Sequence, residues 1–478
     1  MNTDIAAPLP GSEFTPELRR RIDRRLHELL RLQNPTIVVL DDDPTGVQTV
    51  HGVPVYTDYS DQSMQDAFEK ERMFYLLTNS RSLTAAQSER MHREIAAQIA
   101  KFSKKYNKNF ILISRGDSTL RGHYPLETDT LRHTLEKELG MFFSGEIVCP
   151  AFFEGGRFTV NNIHYLENGG QILPVGESEF SKDKTFGYKS SSLCGWIAEK
   201  SNGATLAKEV VAFQLADLSS IEKCNETFSV LTGTKKFTRF VVNATNYYHL
   251  KCFAISVLMA LGKGYNFIFR TAASLPKVLG GISDQPLLSP EAILQNEKEN
   301  PHGGIVVVGS HVNKTTRQLA ALRRLSSLNF IEFNQHLVLE EAKFKQEIAR
   351  VQGALARNVE NGKDTVVYTN RNRLDFGGQN SEEELLLAGK ISAALTGFVA
   401  GLNTRPRYII AKGGITSSDI GTLALGAKKA MVLGQVLPGV PVWQTGAESK
   451  FPGIAYIIFP GNVGEDTSLQ TIVEMLQK

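Results

Sequence analysis

Short apolar runs recur through the first half of the chain, each followed by a stretch whose apolar residues return every three to four positions. Thr36–Leu40, Phe74–Leu77, Phe110–Ser114, Glu146–Cys149, Phe240–Asn243 and Asn266–Arg270 read as strands, and Thr84–Tyr106, Pro125–Leu139 and His249–Leu261 as helices. Beyond residue 303 the alternation resumes. Gly304–Val308, Thr365–Tyr368, Tyr408–Ala411 and Ala455–Phe459 read as strands, with helices over Asn313–Ser326, Leu339–Arg357 and Glu382–Leu402. Strands alternating with helices predict an α/β fold of two domains, each a mainly parallel sheet flanked by helices. Residues 35–283 form the first, 304–478 the second, and the Pro-, Ser- and Asn-rich residues 284–303 a linker region. Residues 1–34 are an N-terminal helical extension: Thr15 suits an N-cap, Pro16 the first helical position, and Leu26, Leu29, Leu30 and Leu32 an apolar stripe. In such sheets ligands sit beyond the carboxyl ends of the strands, so the chemistry is expected just after each apolar run.

Composition narrows the picture modestly. A formal charge of +3 over 478 residues points away from nucleic acid and membrane surfaces as partners, while leaving room for a local anion pocket. No apolar run approaches the roughly 20 residues needed to span a bilayer. The Arg-rich N-terminal helix carries Glu17, Asp23 and Glu28, unlike a transit peptide, so a cytoplasmic location is expected. The four cysteines stand at wide, irregular spacing with no CxxC pair and read as reduced thiols.

The strand-end loops carry the chemistry. Val39–Gly46 (VLDDDPTG) places three carboxylates together, which is unfavourable unless a cation or a hydroxyl-rich ligand is held there. It reads as an acidic turn with an N-capping Asp, as a base accepting a proton from an attacking alcohol, or as the Asp41-x-Asp43-x-Thr45 nucleophile pattern of haloacid-dehalogenase-type phosphatases. Ile113–His123 (ISRGDSTLRGH) offers Arg115, Asp117, Ser118 and Arg121: guanidinium forks suit a carboxylate, and Asp suits sugar hydroxyls. Arg81, after the strand ending at Leu77, is a further candidate cation, and Cys149–Arg157 (CPAFFEGGR) adds paired glycines and Arg157. In Gly176–Tyr188 the aromatics read as packing and Glu177, Glu179, Lys182 and Asp183 as solvated charges; His123 and His164 lack a second ligand at metal-binding spacing.

In the second half, Gly309-Ser310 and Gly413-Gly414-Ile415-Thr416 each sit between a strand and a helix, where backbone N–H groups can hold phosphate. Thr416, Ser417 and Ser418 add hydroxyl donors, and Gly461-Asn462 follows the last strand. No GxxxxGK[ST] loop, protein-kinase motif set, GxSxG elbow or strand-following GxGxxG occurs, so a bound nucleotide would use another glycine architecture.

Taken in order, DDPTG (Asp42–Gly46), Ser80-Arg81, RGDSTLRG, PAFFEGGR, EFSKDKTFGY, Gly309-Ser310, KGGITSSD, LPGVP (Leu437–Pro441) and PGNVG resemble the four-carbon acid sugar kinases. The resemblance implies an N-terminal domain for the acid sugar, a C-terminal domain for ATP, and transfer of the γ-phosphate to a terminal hydroxyl in the interdomain cleft. It implies substrate contacts at Asp42, Asp43, Arg81, Arg115, Asp117 and Ser118, with Asp42 or Asp117 as the base. ATP contacts are implied at Ser310, Gly413, Gly414, Ile415, Thr416 and Gly461, with Mg²⁺ at unassigned ligands and a homodimer among the expected assemblies. Asp41, Pro44 and Arg115 depart from the family pattern, on the substrate side. A phosphatase acting through Asp41 and a non-catalytic sugar-acid sensor are the alternative classes.

Overall fold

The computed structural model describes residues 14–168, 170–372 and 381–477, with the side chains of Asn168 and residues 381–385 outside the description. The first thirteen residues of the expected extension therefore lie outside the described residues. The rest of that extension is the helix Pro16–Gln33, begun by the Thr15 hydroxyl accepting from the Leu18 N–H and closed by Asn34 in the left-handed region. Its stripe of Ile22, Leu26, Leu29 and Leu30 is buried. Leu32, expected in that stripe, is exposed: at 3.6 residues per turn it lies roughly 60° outside the arc that the other four share.

Two compact units follow. One comprises the residues up to Asp42 together with Asp58–Asp284; the other comprises Asp43–Thr57 and Gln285–Lys478. Both are α/β with mainly parallel sheets, as the alternation predicts. In the first unit the strands run Met73–Leu77, Thr36–Asp41, Phe110–Arg115, Asn266–Thr271, Phe143–Cys149, Thr238–Val242 and Val211–Phe213 across the sheet, every neighbouring pair parallel. Thr36–Asp41 is buried along its whole length, because helices cover both faces of a parallel sheet and only a continuous apolar run survives there. A small antiparallel sheet, Arg157–Val160, Ile163–Asn168 and Gln171–Pro174, departs from the strand–helix alternation.

In the second unit Asn329–Phe333, Thr365–Thr369, Ile305–Val308, Ile409–Lys412 and Ala455–Phe459 are parallel neighbours. An antiparallel extension continues through Val440–Thr445, Lys429–Leu437 and Pro54–Tyr56. The LPGVP motif is the turn of this hairpin, with Gly439 at φ +78°.

Two expected boundaries move. Residues 43–57, read as part of the first domain, fall in the second unit: Pro54–Tyr56 pairs with Lys429–Met431, and the Gln48 amide donates to the Gly439 carbonyl. Residues 284–303, read as a linker region, belong there too from Gln285 onward. Leu288 and Ile293 lie in its core, and buried Glu297 bonds Arg405.

Candidate substrate and nucleotide sites

In the first unit the register of the sheet assembles the charged motifs. Asp41 ends its strand directly opposite Arg115, which ends the neighbouring one. The two side chains, both almost fully buried, meet at 3.1 Å, and the same Arg115 Nη1 lies 3.3 Å from Asp42 Oδ1. One guanidinium thus faces two carboxylates. Burial pushes the Asp41 carboxyl up, Arg115 offsets only part of this, and neighbouring Asp42 raises it further, to about 7.

Asp42 differs in one respect. Its Oδ2 is buried and accepts no hydrogen bond; the Arg81 Nε stands 3.9 Å away. Arg81 rides on the 3₁₀ turn Ser80–Ser82, and its Nη1 lies 3.5 Å from Asp117 Oδ1.

Asp117 is fully engaged. Its Oδ2 accepts from Arg121 Nε at 2.7 Å and from the Thr119 hydroxyl. Burial alone would raise this carboxyl, but Arg121, Arg81 and those hydrogen bonds hold it far below the usual carboxylate range. Ser118 is buried beside it, and its carbonyl accepts from His164 Nε2 at 2.8 Å. His164 is buried, which depresses its imidazole to about 4. His123 bonds the Leu83 carbonyl.

Arg157 completes the group. It is buried, its Nη1 donates to the Gly155 carbonyl, and its Nε has no hydrogen-bond partner. Burial lowers its pKa, with Asp117 the carboxylate acting on it. The segment Gly176–Tyr188 packs against this loop. Tyr188 donates to the Thr119 carbonyl at 2.6 Å, and Phe180 stacks under the Arg121 guanidinium. Asp183, read as a solvated charge, instead lies 3.8 Å from Arg121, because that aromatic packing brings its turn onto the loop.

Arg270 and Glu127 were not singled out from the sequence. The Arg270 Nη1 donates to Glu127 Oε2 at 2.6 Å and to the Ser114 hydroxyl at 2.9 Å. Burial would raise Glu127, yet His92, Arg270 and the Ser80 hydroxyl bring it down to about 2. A side-chain carbon on Gly122, at φ +128°, would land 2.6 Å from Arg270 Nη2, so Arg270 occupies the space these loop glycines leave. The signal available was a charged residue closing an apolar strand run.

The second unit gathers its motifs through glycines. Gly309 abuts Thr416. A side-chain carbon on Gly413 (φ +122°) would lie 3.0 Å from Ser310 Cβ, and one on Gly461 3.0 Å from Ser310 Oγ. The Thr315 hydroxyl donates to Ser310 Oγ or the Gly461 carbonyl, each at 3.2 Å. Ser310, Gly413, Thr416 and Gly461 therefore meet around one turn, and Asn462 follows, half-buried. Ile415 is largely exposed. Ser417, read as a phosphate donor, instead gives its hydroxyl to the Ala411 carbonyl, since the helix start turns it into the core.

Asp43 belongs with this turn. Its Oδ1 accepts from the Thr45 N–H at 2.7 Å, while its Oδ2 would lie 3.8 Å from a side-chain carbon on Gly414. The chain leaves the first unit between Asp42 and Asp43, so adjacent carboxylates serve different units.

Residues 37–279 match a family described as a sugar-binding N-terminal domain, and residues 305–469 one described as a nucleotide-binding C-terminal domain. A Salmonella typhimurium LT2 protein described as a putative tRNA synthase superposes with a TM-score of 0.63 at 16% identity, over 91% of this chain and 98% of its own. Haemophilus influenzae protein HI1011, of the DUF1537 family, does so at 0.59 and 16%, over 92% and 100%. At such identity the likeness is one of fold. No curated protein matches the chain. Among the described residues, no helix is long and apolar enough to cross a membrane.

Proposed function

Because this chain belongs to the four-carbon acid sugar kinase family, its sugar-binding and nucleotide-binding domains standing in the family's order, we propose that it uses ATP to phosphorylate a terminal hydroxyl of a small sugar acid or 3-oxo sugar acid. The observation that carries this reading is the Asp42 Oδ2 atom, buried without a hydrogen bond, on a carboxylate that faces Arg81 and Arg115 and lies within the electrostatic reach of Arg121. A carboxylate oxygen with no donor of its own is placed to accept the proton of an attacking hydroxyl. Asp117 is the poorer base, since guanidinium and hydroxyl donors already take both its oxygens. It suits holding Arg81 and Arg121 in place for the ligand.

Arg81, Arg115, Arg121 and Arg157 stand together with Asp42, Asp117, Asp183 and an Asp41 whose carboxyl is pushed by burial up to about 7, toward its neutral form. The rise at Asp41 and the unpartnered Arg157 Nε leave room for a substrate with its own carboxylate. Arg157 is the best anchor for that group, because among the described residues no carboxylate bonds it.

In the nucleotide-binding domain, the turn formed by Ser310, Gly413, Gly414, Thr416 and Gly461 suits a polyphosphate, which needs close backbone approach and hydroxyl donors. Asp43 presents a hard carboxylate oxygen at that turn and would hold Mg²⁺. The ion would neutralise charge on the β- and γ-oxygens when bound. A phosphatase using Asp41 as nucleophile fits poorly: that side chain is 2% exposed and clamped to Arg115.

The test is ADP release from ATP with a panel of four-carbon sugar acids and 3-oxo sugar acids. Substrate-dependent ADP release is expected with at least one. ADP release with none, together with phosphate release from sugar phosphates, would overturn the kinase reading.

A further inference from the structure

Arg371 stands outside every motif so far assigned, yet it closes on the same glycine–serine turn. It follows the strand Thr365–Thr369, next to Ile305–Val308 in the sheet. Its Nη2 donates to the Ser310 carbonyl at 2.7 Å and to the Thr316 hydroxyl at 2.9 Å. Its Nη1 reaches the Thr369 hydroxyl at 3.5 Å. All these acceptors are neutral. Among the described residues no carboxylate pairs with Arg371, and the one influence on its acidity is burial, which weakens its hold on the proton.

A second basic side chain at the turn also has no carboxylate partner among the described residues. Lys412 is fully buried, donates to the Pro460 carbonyl and lies over the Phe459 ring at 4.0 Å. Its own carbonyl accepts from the Gly309 and Ser310 N–H groups, each at 3.3 Å. Burial lowers its pKa strongly, and neighbouring Lys314 lowers it further. Protein interiors rarely hold cations without a counter-charge, because desolvation is then uncompensated. A half-buried arginine and a buried lysine on one turn, neither with a carboxylate partner among the described residues, suit an anionic ligand whose charge would also hold Lys412 protonated.

We propose that Arg371 is a polyphosphate-binding residue of the nucleotide site, setting preference for a triphosphate over a monophosphate. Lys412 acts as a positioning residue that ties the Pro460–Gly461 segment to the strand end. The inference rests on the kinase reading only in taking the polyphosphate to be that of ATP. Arg371 recognises charge, whereas the glycines admit the backbone.

Calorimetric titration of ATP, AMP and adenosine into the unsubstituted chain, R371K and R371Q tests this. Gln can keep a hydrogen bond to the Ser310 carbonyl but carries no charge. R371Q is expected to weaken ATP about tenfold to a hundredfold, the range of a charge-assisted hydrogen bond, with a smaller change for AMP and none for adenosine. R371K is expected to recover part of the ATP affinity. Equal ATP binding by R371Q and the unsubstituted chain would overturn the proposal while leaving ATP use standing. An equal loss for all three ligands would reduce Arg371 to a structural staple. Absence of any nucleotide binding by the unsubstituted chain would instead overturn the kinase reading, and this inference with it.

Discussion

The first unit pairs buried charges with one another at its strand ends, whereas the second gathers glycines and hydroxyls there around the buried Lys412. Arg115, Asp41 and Asp42 are held in place by one another, so their geometry depends on ion pairs taken out of water. Ser310, Gly413 and Gly461 are held by close backbone approach, and among the described residues the basic side chains beside them, Arg371 and Lys412, bond neutral oxygens. A small ligand with a defined carboxylate needs directional forks. A flexible polyphosphate needs room and positive charge. The contrast teaches where each site should break: the first by removing a charge, the second by adding a carbon.

The largest effect is expected at Asp42. D42N keeps the shape and the hydrogen bond from Arg115 but removes the proton acceptor. Turnover should fall about a hundredfold to ten-thousandfold, the usual worth of a general base, while ATP affinity stays put. Steady-state kinetics with titration of ATP checks both, and a D42N enzyme with near-normal kcat would move the base elsewhere. Next comes R157M, which removes the proposed carboxylate anchor. KM for the sugar acid should rise about tenfold to a hundredfold. The melting temperature should hold or rise, because an uncompensated buried cation has been replaced by an apolar chain. A fall in stability without a change in KM would make Arg157 a scaffold residue.

In the second unit, G413A adds one carbon at φ +122°, about 3.0 Å from Ser310 Cβ. The strain, about 1–3 kcal/mol, should appear as weaker ATP binding with little change in sugar-acid affinity. If sugar-acid binding suffered equally, the division of labour between the units would be wrong.

Much of this was legible because strand ends are. The apolar runs located the sheets, and the residues after them were already the charged and glycine-rich ones. What escaped notice depends on pairing across the sheet. Asp41, Asp42 and Asp43 are indistinguishable in sequence; they differ because Arg115, 74 residues from Asp41, stands in register with the first. Arg270 sits in a strand that otherwise reads as core, and its role follows from the space left by Gly116 and Gly122. The hairpin Lys429–Thr445 was missed because its first strand alternates buried with half-buried positions and contains Gly434 at φ +140°, unlike the continuous runs of the parallel strands. Without that hairpin, nothing marked residues 43–57 as part of the second unit.

The smallest and most diagnostic effect concerns pH. Asp41 is raised from 3.8 to about 7. The folded chain therefore binds this proton more tightly than the unfolded one, and the contribution is fully present below pH 3.8 and lost as pH rises through 7. Glu127, lowered from 4.5 to about 2, works in the opposite sense: its contribution is present above pH 4.5 and lost as pH falls through 2. The two windows barely overlap, so D41N isolates the first. Urea unfolding at several pH values between 5 and 8 should show the unsubstituted chain losing more stability with rising pH than D41N, the variant gaining in relative terms at pH 8. Parallel curves would mean that Arg115 keeps Asp41 ionised throughout. Arg115 would then be matched by two ionised carboxylates before any ligand arrives, leaving Arg157 as the basic group of the first unit that still awaits an anion.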